Sequence, residues 1–412
     1  MTTNTIGVGA LSTALQKAWA RFQATVDEGR VKMESTPRFR DTPQHRASAY
    51  HTLLEAQAMA YNFAVAPRMR HPRVQVNTGW QTHFYTLGQN GMDFFYGVMF
   101  LDGRRTYRLS GRMGDIKLFL FQVISHLSGH PQSKTVGNFD FDQYGIGEQQ
   151  DFEFVVSATR HEGNWIALDP ESRYQFILMR RAMADWHDDP GELRIEMIDP
   201  PVDDFYDRDE FDEDAMVERI DRAADFVRYL IEHWNINLYD MYLAAGGGSK
   251  NTMGLLPGVV TSEVGNPVSN YAMCIFELGD DEALIVEMDE PPDCPYWSFQ
   301  LGTVWSRSLD FRNYQTDISM AHAAIDADGA FRAVVSRRDP GIANWMDTRG
   351  HGEGTVVFRN YRSPTEVVPR VTKVAFADID KHLPADTRKV TPAQRADALR
   401  WRREGFLKLH GE

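Results

Sequence analysis

The sequence is poor in cysteine, with only Cys274 and Cys294 among 412 residues. Two thiols cannot form the disulfide framework of a small secreted domain, nor a zinc site built from several cysteines. Cys274 lies in an apolar run typical of a strand, and Cys294 directly precedes a proline. We therefore predict that both are buried free thiols.

The sequence also lacks an apolar run long enough to cross a lipid bilayer. Residues 1–11 contain no basic segment followed by a long apolar one, so they do not resemble a secretory signal. We expect no membrane span and a cytoplasmic protein.

Positive charge is scarce: 44 Lys and Arg face 58 Asp and Glu, and the formal net charge is −14. Binding to nucleic-acid phosphates requires a positive field, so we predict no nucleic-acid partner. Part of the excess comes from one acidic run, residues 203–214. Such a run is typical of a solvated linker rather than of a cation site.

Several familiar catalytic motifs are missing. The chain has no Gly-x-Ser-x-Gly, no His-Glu-x-x-His and no Cys-x-x-Cys. The glycine-rich residues 246–250 differ from a phosphate-binding loop because the lysine follows the serine. We interpret them as a flexible turn, and we predict no nucleotide cofactor. No internal repeat is evident along the chain.

What the chain does have is aromatic, strand-like sequence. Aromatic residues make up 12% of the chain, with nine tryptophans, and they concentrate in two regions, residues 79–197 and 270–361. Apolar and polar residues alternate there, which indicates half-buried strands. Turn residues at Asp102-Gly103, Gly279-Asp280 and residues 326–329 predict one β-hairpin in the first region and two in the second.

Helices are predicted at both ends and between the two β regions. Apolar residues at helical spacing indicate helices over residues 11–30, 42–65 and 216–234. Thr391-Pro392 starts a last helix with a capping box. Its arginines are expected to form a solvated face: Arg395, Arg400, Arg402 and Arg403.

These patterns predict a mainly β fold with flanking helices, in which two antiparallel β-sandwich or jelly-roll-like lobes are joined by a helix. Composition sets the expected boundaries. They are N-terminal helices at 1–70, an N-terminal β-rich lobe at 71–200, an acidic linker and connecting helix at 201–245, a C-terminal β-sandwich at 246–375 and a C-terminal helix at 376–412.

The loop at residues 339–351 is dense in side chains that move protons. We expect His351 to shuttle a proton, with Asp347 and Asp339 acting as acids or bases or orienting the histidine. The alternative is structural, because Asp-Pro-Gly forms turns and Asn and Asp cap them.

Substrate contacts are predicted from the same region. Asn344 is expected to donate to a developing oxyanion, and Trp345 to wall the pocket against water. Arg359 alternates with apolar neighbours and is expected to pair with a carboxylate of the substrate or of Asp347. Further aromatic side chains are expected to line the pocket: Trp297, Trp305 and Tyr361.

We predict no cofactor. A divalent metal stays open as an alternative, although no ligand spacing in the sequence requires one. Its donors would come from different strands: His351, Asp347, Asp339, His322 and His161.

Four segments of this region resemble the bacterial family known as domain of unknown function 1214. They are Tyr-Trp-Ser-Phe-Gln-Leu at 296–301, Asp-Gly at 328–329, Asn-Trp-Met-Asp at 344–347 and Phe-Arg-Asn-Tyr at 358–361. Met346 stands where the family usually has leucine. The resemblance covers about the last third of the chain. It implies a jelly-roll-like β-sandwich, and the family has no settled activity.

Two further likenesses refine this resemblance. Asp-Pro-Gly at 339–341 and Gly-His at 350–351 resemble a subgroup from bacteria that handle lipids, steroids or xenobiotics. Residues 71–114 look like the N-terminal part of such chains, with Asn90-Gly91-Met92-Asp93 in place of the usual Asn-Pro-Asp.

Three function classes follow. The first is an enzyme that acts on a hydrophobic small molecule (lipid, steroid, terpenoid or aromatic) by acid–base chemistry such as hydrolysis, dehydration or isomerisation. The second is a non-catalytic β-sandwich protein that binds a glycan or lipid, and the third is an interaction module. Convergence of His351, Asp347 and Arg359 in a pocket would favour the enzyme. The N-terminal helices make a homodimer a reasonable expectation.

Overall fold

The computed structural model describes residues 13–76, 85–183, 185–199, 212–257 and 269–410. Residues 1–12, which include the segment 1–11 that was expected to contain no secretory signal, and residues 203–211 of the predicted acidic linker lie outside these ranges. Among the helices of the described ranges, none has the length and apolar character needed to cross a membrane.

The described helices lie at both ends of the chain and between its two β regions. They are α1 (Ala14–Ser35), α2 (Pro37–Asp41), α3 (Pro43–Ala60), α4 (Glu213–Tyr229), α5 (Leu238–Ala245), α6 (Ile379–His382) and α7 (Pro392–His410). Thr42 caps α3 by accepting a hydrogen bond from the His45 N–H, with proline at the first helical position. π-Helical turns at Tyr61–Val65 and Leu230–Asn237 extend α3 and join α4 to α5.

In the described residues, the N-terminal lobe contains eight strands. They are β1 (Phe94–Leu101), β2 (Tyr107–Arg112), β3 (Leu118–Ile124), β4 (Thr135–Asp140), β5 (Asp151–Ser157), β6 (Trp165–Ala167), β7 (Gln175–Ala182) and β8 (Glu192–Met197). They form two sheets, ordered β1-β7-β3-β4 and β6-β5-β2-β8. An aromatic core that includes Phe119, Phe141 and Phe154 fills the space between them.

The C-terminal lobe is built in the same way. Its strands are β9 (Gly254–Leu255), β10 (Ser269–Glu277), β11 (Glu282–Met288), β12 (Tyr296–Gly302), β13 (Asp317–Ser319), β14 (Phe331–Ser336), β15 (Trp345–Asp347), β16 (Glu353–Tyr361) and β17 (Arg370–Ala375). The two sheets are ordered β13-β12-β16-β10-β9 and β15-β14-β11-β17. Their shared core includes Trp297, Phe299 and Phe358.

The two lobes are structural repeats of each other. When β10 is matched to β1, strands β10 to β17 reproduce the neighbours of β1 to β8, and β9 is the one described strand left over. The parallel pair β5–β6 has its counterpart in the parallel pair β14–β15. The sequence analysis found no internal repeat, and that interpretation was therefore wrong. Few side chains are shared between the lobes, so sequence alone did not reveal the duplication.

The hairpins predicted at Asp102-Gly103 and Gly279-Asp280 do not form, whereas the turn at residues 326–329 closes with an antiparallel bridge between Ile325 and Phe331. β1 pairs with β7, whereas β2 pairs with β5 and β8 in the other sheet. Likewise, β10 and β11 belong to different sheets of the C-terminal lobe. In each case the turn carries the chain from one sheet to the other, so that both strands bury one face in the same sandwich core.

A third core joins the helices to both lobes. It contains Met33 of α1, Leu53 of α3, Phe226 of α4, Tyr96 of β1 and Ile275 of β10. The helical segment from α4 to α5 thus connects the lobes and packs between them. The predicted fold class, two β-sandwich lobes with flanking helices, is confirmed.

Helix α7 returns to both lobes through buried basic residues, contrary to the expected solvated face. Arg395 and Arg402 are buried, and the guanidinium of Arg402 pairs with Asp317 at 2.6 Å. Only Arg400 and Arg403 lie at the surface as predicted. A guanidinium that leaves water needs an anionic partner, and β13 supplies it.

Candidate functional site

The three predicted catalytic side chains do not converge. Asp339 lies near the surface and pairs with Arg395 at 3.0 Å. Asp347 accepts hydrogen bonds from the backbone N–H and the guanidinium of Arg349, at 2.7 and 3.0 Å. Among the described residues, the ring of His351 has no carboxylate partner, and its Nδ1 atom has no hydrogen bond. A His–Asp dyad is therefore not present in this loop.

His351 instead lies in a positive environment. Burial, followed by the neighbouring His45 and Arg307, lowers the pKa of His351 to about 4. The imidazole is therefore neutral at physiological pH. Its ring lines a separate cleft against α3, in which Asp347 takes part only through its contact with Arg349.

Asn344 holds the loop in place rather than facing a substrate. Its amide donates to the carbonyls of Ala324 and Arg332 at 2.7 and 2.8 Å, and its oxygen accepts the Ala324 N–H at 2.9 Å. All three partners are backbone groups. These bonds occupy the amide that was expected to stabilise an oxyanion.

Trp345 has a structural counterpart in the other lobe. Its indole N–H donates to the Ser336 hydroxyl at 3.0 Å, and the indole of Trp165 donates to the Ser157 hydroxyl at 3.2 Å. Both serines end a strand that pairs in parallel with the strand of the tryptophan. A contact that recurs in both lobes at equivalent positions belongs to the fold.

Two further residues that were predicted to line a pocket are packed in the protein interior. Trp297 lies in the core of the C-terminal lobe, with its ring edge-on to Phe331 at 5.1 Å. Trp305 is fully buried, and its indole donates to the His45 carbonyl at 2.8 Å. It anchors the start of α3 to the C-terminal lobe.

Arg359 and Tyr361, the remaining predicted binding residues, lie on the sheet face that points to the other lobe. Because the lobes are repeats, Arg359 has an equivalent in the other lobe, Arg180. Arg359 on β16 is opposite Tyr271 on β10, and Arg180 on β7 is opposite Tyr96 on β1. Each lobe therefore presents the same tyrosine–arginine pair to the region between the lobes.

Both arginines are buried, and among the described residues neither has a counter-ion. Arg180 donates to the Gln122 side chain at 3.0 Å, and Arg359 donates to the Gln89 carbonyl at 2.7 Å. Within the described residues neither guanidinium pairs with a carboxylate, and the Nε atom of Arg359 has no hydrogen bond. Burying an unpaired charge destabilises a fold, so such a charge indicates a ligand of opposite sign.

The two arginines act on a shared set of tyrosines. Burial raises the pKa of Tyr96 and of Tyr361, and the positive charges of Arg180 and Arg359 oppose that rise at both phenols. Gly91 approaches the cluster closely: a Cβ atom there would lie 2.9 Å from Arg359. The cluster is therefore one polar site between the lobes, formed by the face of β7 and the face of β16.

A cavity of about 410 Å³ opens beside Arg180, and we call it the interlobe cavity. Leu120, Phe121 and Phe139 belong to its lining, and the guanidinium donates to the side chain of Gln122. This volume falls in the range of roughly 300–1,000 Å³ that is typical of small-molecule sites. Apolar walls that end on a buried cation suit a hydrophobic molecule with one anionic group.

Two carboxylates of the N-terminal lobe and an arginine of the C-terminal lobe complete the cavity. Arg362, which follows β16, ion-pairs with Asp140 and lies 2.7 Å from Asp142. Arg362 has a φ of 54°, in the left-handed region that is unusual for arginine. Asp140 and Asp142 line the cavity and are its carboxylate groups among the described residues.

A second polar network ties the lobes together near α7. The buried carboxylate of Asp93 accepts bonds from the Trp186 indole at 3.0 Å and the Tyr296 hydroxyl at 3.2 Å. Burial raises the pKa of Asp93, and burial likewise raises the pKa of Asp317 to about 6. This cluster links β1, β12 and α7, and we assign it to the interface between the lobes.

The possible metal ligands are dispersed. Among the described residues, no group of three or more His, Cys, Asp or Glu side chains could hold a metal ion. Of the two cysteines, Cys274 is a buried free thiol as predicted, and burial raises its pKa to about 12. Cys294 is also free but only half-buried.

Sequence reasoning missed Arg180 because its setting depends on register. Residues 174–183 are too apolar for periodicity to distinguish strand from buried helix. Only the pairing of β7 with β1 and β3 shows that Arg180 points to the other lobe, beside Tyr96 and Leu120. A signal was available: two arginines, 180 and 181, inside an otherwise apolar run.

Comparison with known proteins bears on the fold. No family model and no curated protein matches the chain. A solved structure of an uncharacterized protein from Burkholderia cenocepacia is similar over 89% of this chain and 99% of its own, with 27% identity and a TM-score of 0.79. The VPA0106 protein from Vibrio parahaemolyticus aligns over 78% of this chain and 99% of its own, with 11% identity and a TM-score of 0.43. The first of these shares the present fold.

Proposed function

We propose that this protein is an enzyme that binds a small hydrophobic carboxylate in the interlobe cavity and acts on it by acid–base chemistry. The observation that carries the proposal is the buried guanidinium of Arg180, which faces an apolar-walled cavity and has no carboxylate partner among the described residues. A substrate carboxylate would supply the missing charge through paired N–H bonds. Arg359 would add positive potential from the other lobe through the tyrosines that the two arginines share.

Asp140 is the proton-transfer group in this proposal. It lies in the cavity wall on β4, opposite Leu120, which is in turn opposite Arg180. Neighbouring strands are about 4.8 Å apart, so a carboxylate bound at Arg180 would place the adjacent carbons of the substrate near Asp140. That position suits removal or return of a proton close to the carboxylate, as in an isomerisation or a dehydration.

A binding protein without turnover is the second candidate. It is favoured by the bonds that Asp140 already makes, to Arg362 and to the Asp142 N–H. A carboxylate that is fully engaged in this way is a weaker base than a free one. In that case the ligand would be held by Arg180 and released unchanged.

A thermal-shift screen tests the proposal. Aromatic, fatty and terpenoid acids would be compared with their methyl esters, which keep the apolar body and lose the charge. We expect acids, and not esters, to raise the melting temperature of the wild type, and neither to affect Arg180→Met. Equal shifts for acids and esters, or equal shifts in the variant, would contradict it. Turnover of the best acid, lost in Asp140→Asn, would separate the enzyme from the binding protein.

Three further expectations are also proposals. The resemblance to domain of unknown function 1214 suggests family membership, and a cytoplasmic location stays an expectation. A homodimer through the N-terminal helices is supported by exposed apolar side chains on α3 and the π-helical turn that follows it, Leu54 and Tyr61. Light scattering of the wild type and of Leu54→Glu would test that association.

A further inference from the structure

We propose that the buried charges where α7 meets both lobes form a pH-sensitive switch, in which Asp93 holds a proton and its loss loosens the attachment of α7. The charged members are Asp93, Asp317 and Arg402, and we call them the Asp93 cluster. They come from the segment before β1, from strand β13 and from helix α7. None of them lines the interlobe cavity, so the inference goes beyond the proposed function.

The charges of the cluster do not balance when both carboxyls are ionised. Asp93 and Asp317 are each 1% exposed, and Arg402 is 6% exposed. The guanidinium of Arg402 pairs with Asp317 at 2.6 Å. Among the described residues, no cationic side chain makes an ion pair with Asp93, whose hydrogen bonds go to neutral groups. A buried carboxylate without a cation of its own is costly, and a proton removes its charge.

The hydrogen bonds of Asp93 accommodate the protonated form. The Trp186 indole donates to one oxygen of Asp93 at 3.0 Å, and the Tyr296 hydroxyl lies 3.2 Å from the other. The Tyr296 hydroxyl also lies 3.8 Å from the sulfur of Met92, which is a weak acceptor. A protonated Asp93 can therefore donate to Tyr296 while Tyr296 donates to Met92, so that no hydrogen bond is lost.

The two carboxyls are electrostatically coupled. Burial raises the pKa of Asp93, and burial likewise raises the pKa of Asp317 to about 6. The charge of Arg402 opposes the rise at both, and the charge of Asp93 adds to the rise at Asp317. Two carboxyls that interact in this way lose their protons one after the other. The second ionisation places two like charges beside a single guanidinium.

The other titratable groups that act on the cluster supply no positive charge near neutral pH. Burial, followed by Arg402, lowers the pKa of His322 below its ordinary value of 6.5, so this ring is neutral above that pH. Asp185, in the loop after β7, acts on His322 and is itself an acid. Burial, followed by the charge of Asp93, raises the pKa of Tyr296 well above its ordinary value, so its phenol stays protonated.

Helix α7 depends on the cluster because Arg402 joins it to both lobes. The guanidinium pairs with Asp317 in the C-terminal lobe, and it lies over the ring of Trp186 in the N-terminal lobe at 4.6 Å. When Asp93 is ionised, this one cation has to neutralise two buried anions. We therefore expect α7 to be the element that loosens.

The direction of the pH effect follows from the raised pKa values of both carboxyls. The folded state binds more protons than the unfolded chain once the pH exceeds the ordinary value of 3.8. The stability that these protons contribute is complete below that value. It falls as the pH rises, through about 6 for Asp317 and through the raised pKa of Asp93.

Urea unfolding of the full chain between about pH 5 and about pH 9 tests the inference. The wild type would be compared with Asp93→Asn, Asp317→Asn and Asp397→Asn. Asp93→Asn keeps the shape of a neutral carboxyl and cannot ionise, whereas Asp317→Asn leaves Asp93 as the one carboxyl beside Arg402. Asp397 lies on the surface of α7 and controls for the loss of one negative charge.

We expect the unfolding equilibrium constant of the wild type, relative to that of Asp93→Asn, to increase by up to about tenfold per pH unit. The same increase should appear relative to Asp317→Asn, which decides the question if Asp93→Asn does not fold. It should be absent relative to Asp397→Asn. Ratios to the two cluster variants that stay constant or decrease with pH would show that Asp93 is ionised in the folded protein, and would overturn the inference.

Hydrogen exchange of backbone amides tests whether the effect is local to α7. In the wild type, the amides of α7 should exchange faster relative to those of α4 as the pH rises, and the ratio should stay constant in the cluster variants. Helix α4 serves as the internal reference because it contributes no charged residue to the Asp93 cluster. A constant ratio of α7 to α4 exchange in the wild type would overturn the switch.

Discussion

Arg180 and Arg402 are buried to the same extent, 5% and 6% exposed, yet within the part of the chain that the structure describes only Arg402 has a carboxylate partner. Arg402 pairs with Asp317 at 2.6 Å, whereas Arg180 donates to the neutral amide of Gln122. The first arrangement is that of a structural ion pair. The second leaves a guanidinium charge that no carboxylate of the described residues neutralises.

This contrast predicts that the same substitution changes the free energy of unfolding by very different amounts at the two positions. Arg180→Met should change the free energy of unfolding by no more than about 1 kcal/mol, because an unpaired buried charge is lost together with one hydrogen bond. Arg402→Met should cost about 3–5 kcal/mol, because it strands the buried carboxylate of Asp317. Urea unfolding of both variants measures the difference. A loss at Arg180→Met as large as that at Arg402→Met would mean that Arg180 is structural.

Asn344 should matter for stability and not for ligand binding. Asn344→Ala removes three bonds to buried backbone groups, and we expect it to lower the free energy of unfolding by about 2–4 kcal/mol. Asn164, its counterpart in the other lobe, makes one such bond at 3.1 Å, to the Glu153 carbonyl. Asn164→Ala should therefore cost only about 1 kcal/mol. The account fails here if Asn344→Ala unfolds like the wild type but loses its ligand.

His351 predicts a specific dependence of stability on pH. Its pKa is about 4 in the folded protein, below its ordinary value of 6.5, so the unfolded chain binds more protons between these pH values. The folded state is thus destabilised as pH falls from 6.5 to 4, by up to about 3 kcal/mol. The unfolding free energy of the wild type minus that of His351→Gln should decrease as the pH is lowered from 6.5 to 4, and it should stay constant above pH 6.5. Parallel curves from pH 4 to 8 would contradict the buried, neutral imidazole.

Arg362 should favour binding of a carboxylate ligand, because it neutralises the negative charges of the cavity. Arg362→Ala leaves Asp140 and Asp142 without their counter-ion, and their charges would then repel a bound carboxylate. We expect the affinity for the best acid to fall about tenfold, and Arg362→Ala combined with Asp140→Asn to recover most of that loss. Calorimetry on the two variants measures this coupling. Tighter binding by the single variant would show that no carboxylate of the ligand lies near Asp140.

Many helices and strands were predictable because the local spacing of apolar residues indicates them. Alternating residues in β12 and β16 and the apolar stripe of α4 identify these elements correctly. The pairing of strands was not predictable in the same way. Asp102-Gly103 has the composition of a hairpin turn, but the chain crosses there to the other sheet because both β1 and β2 bury a face in one core.

The candidate site was less predictable for a related reason. The loop from Asp339 to His351 has the composition of an active site, yet Asn344 and Trp345 repeat contacts of the other lobe, and Asp339 anchors α7 through Arg395. Arg359 was predicted to pair with a carboxylate of the substrate or of Asp347. The second alternative is wrong, because Asp347 pairs with Arg349 and Arg359 donates to the Gln89 carbonyl, and the first stays a prediction. Its equivalent Arg180 was not foreseen. Strand register decides which groups surround a buried charged side chain, and local sequence does not specify that register.

A crystal structure of the protein with the acid that most raises its melting temperature tests the central claim most directly. We predict that the carboxylate of this ligand lies within hydrogen-bond distance of the Arg180 guanidinium, with its apolar part against Leu120 and Phe139. An empty interlobe cavity, with the same acid bound elsewhere or with its carboxylate turned away from Arg180, would contradict the account.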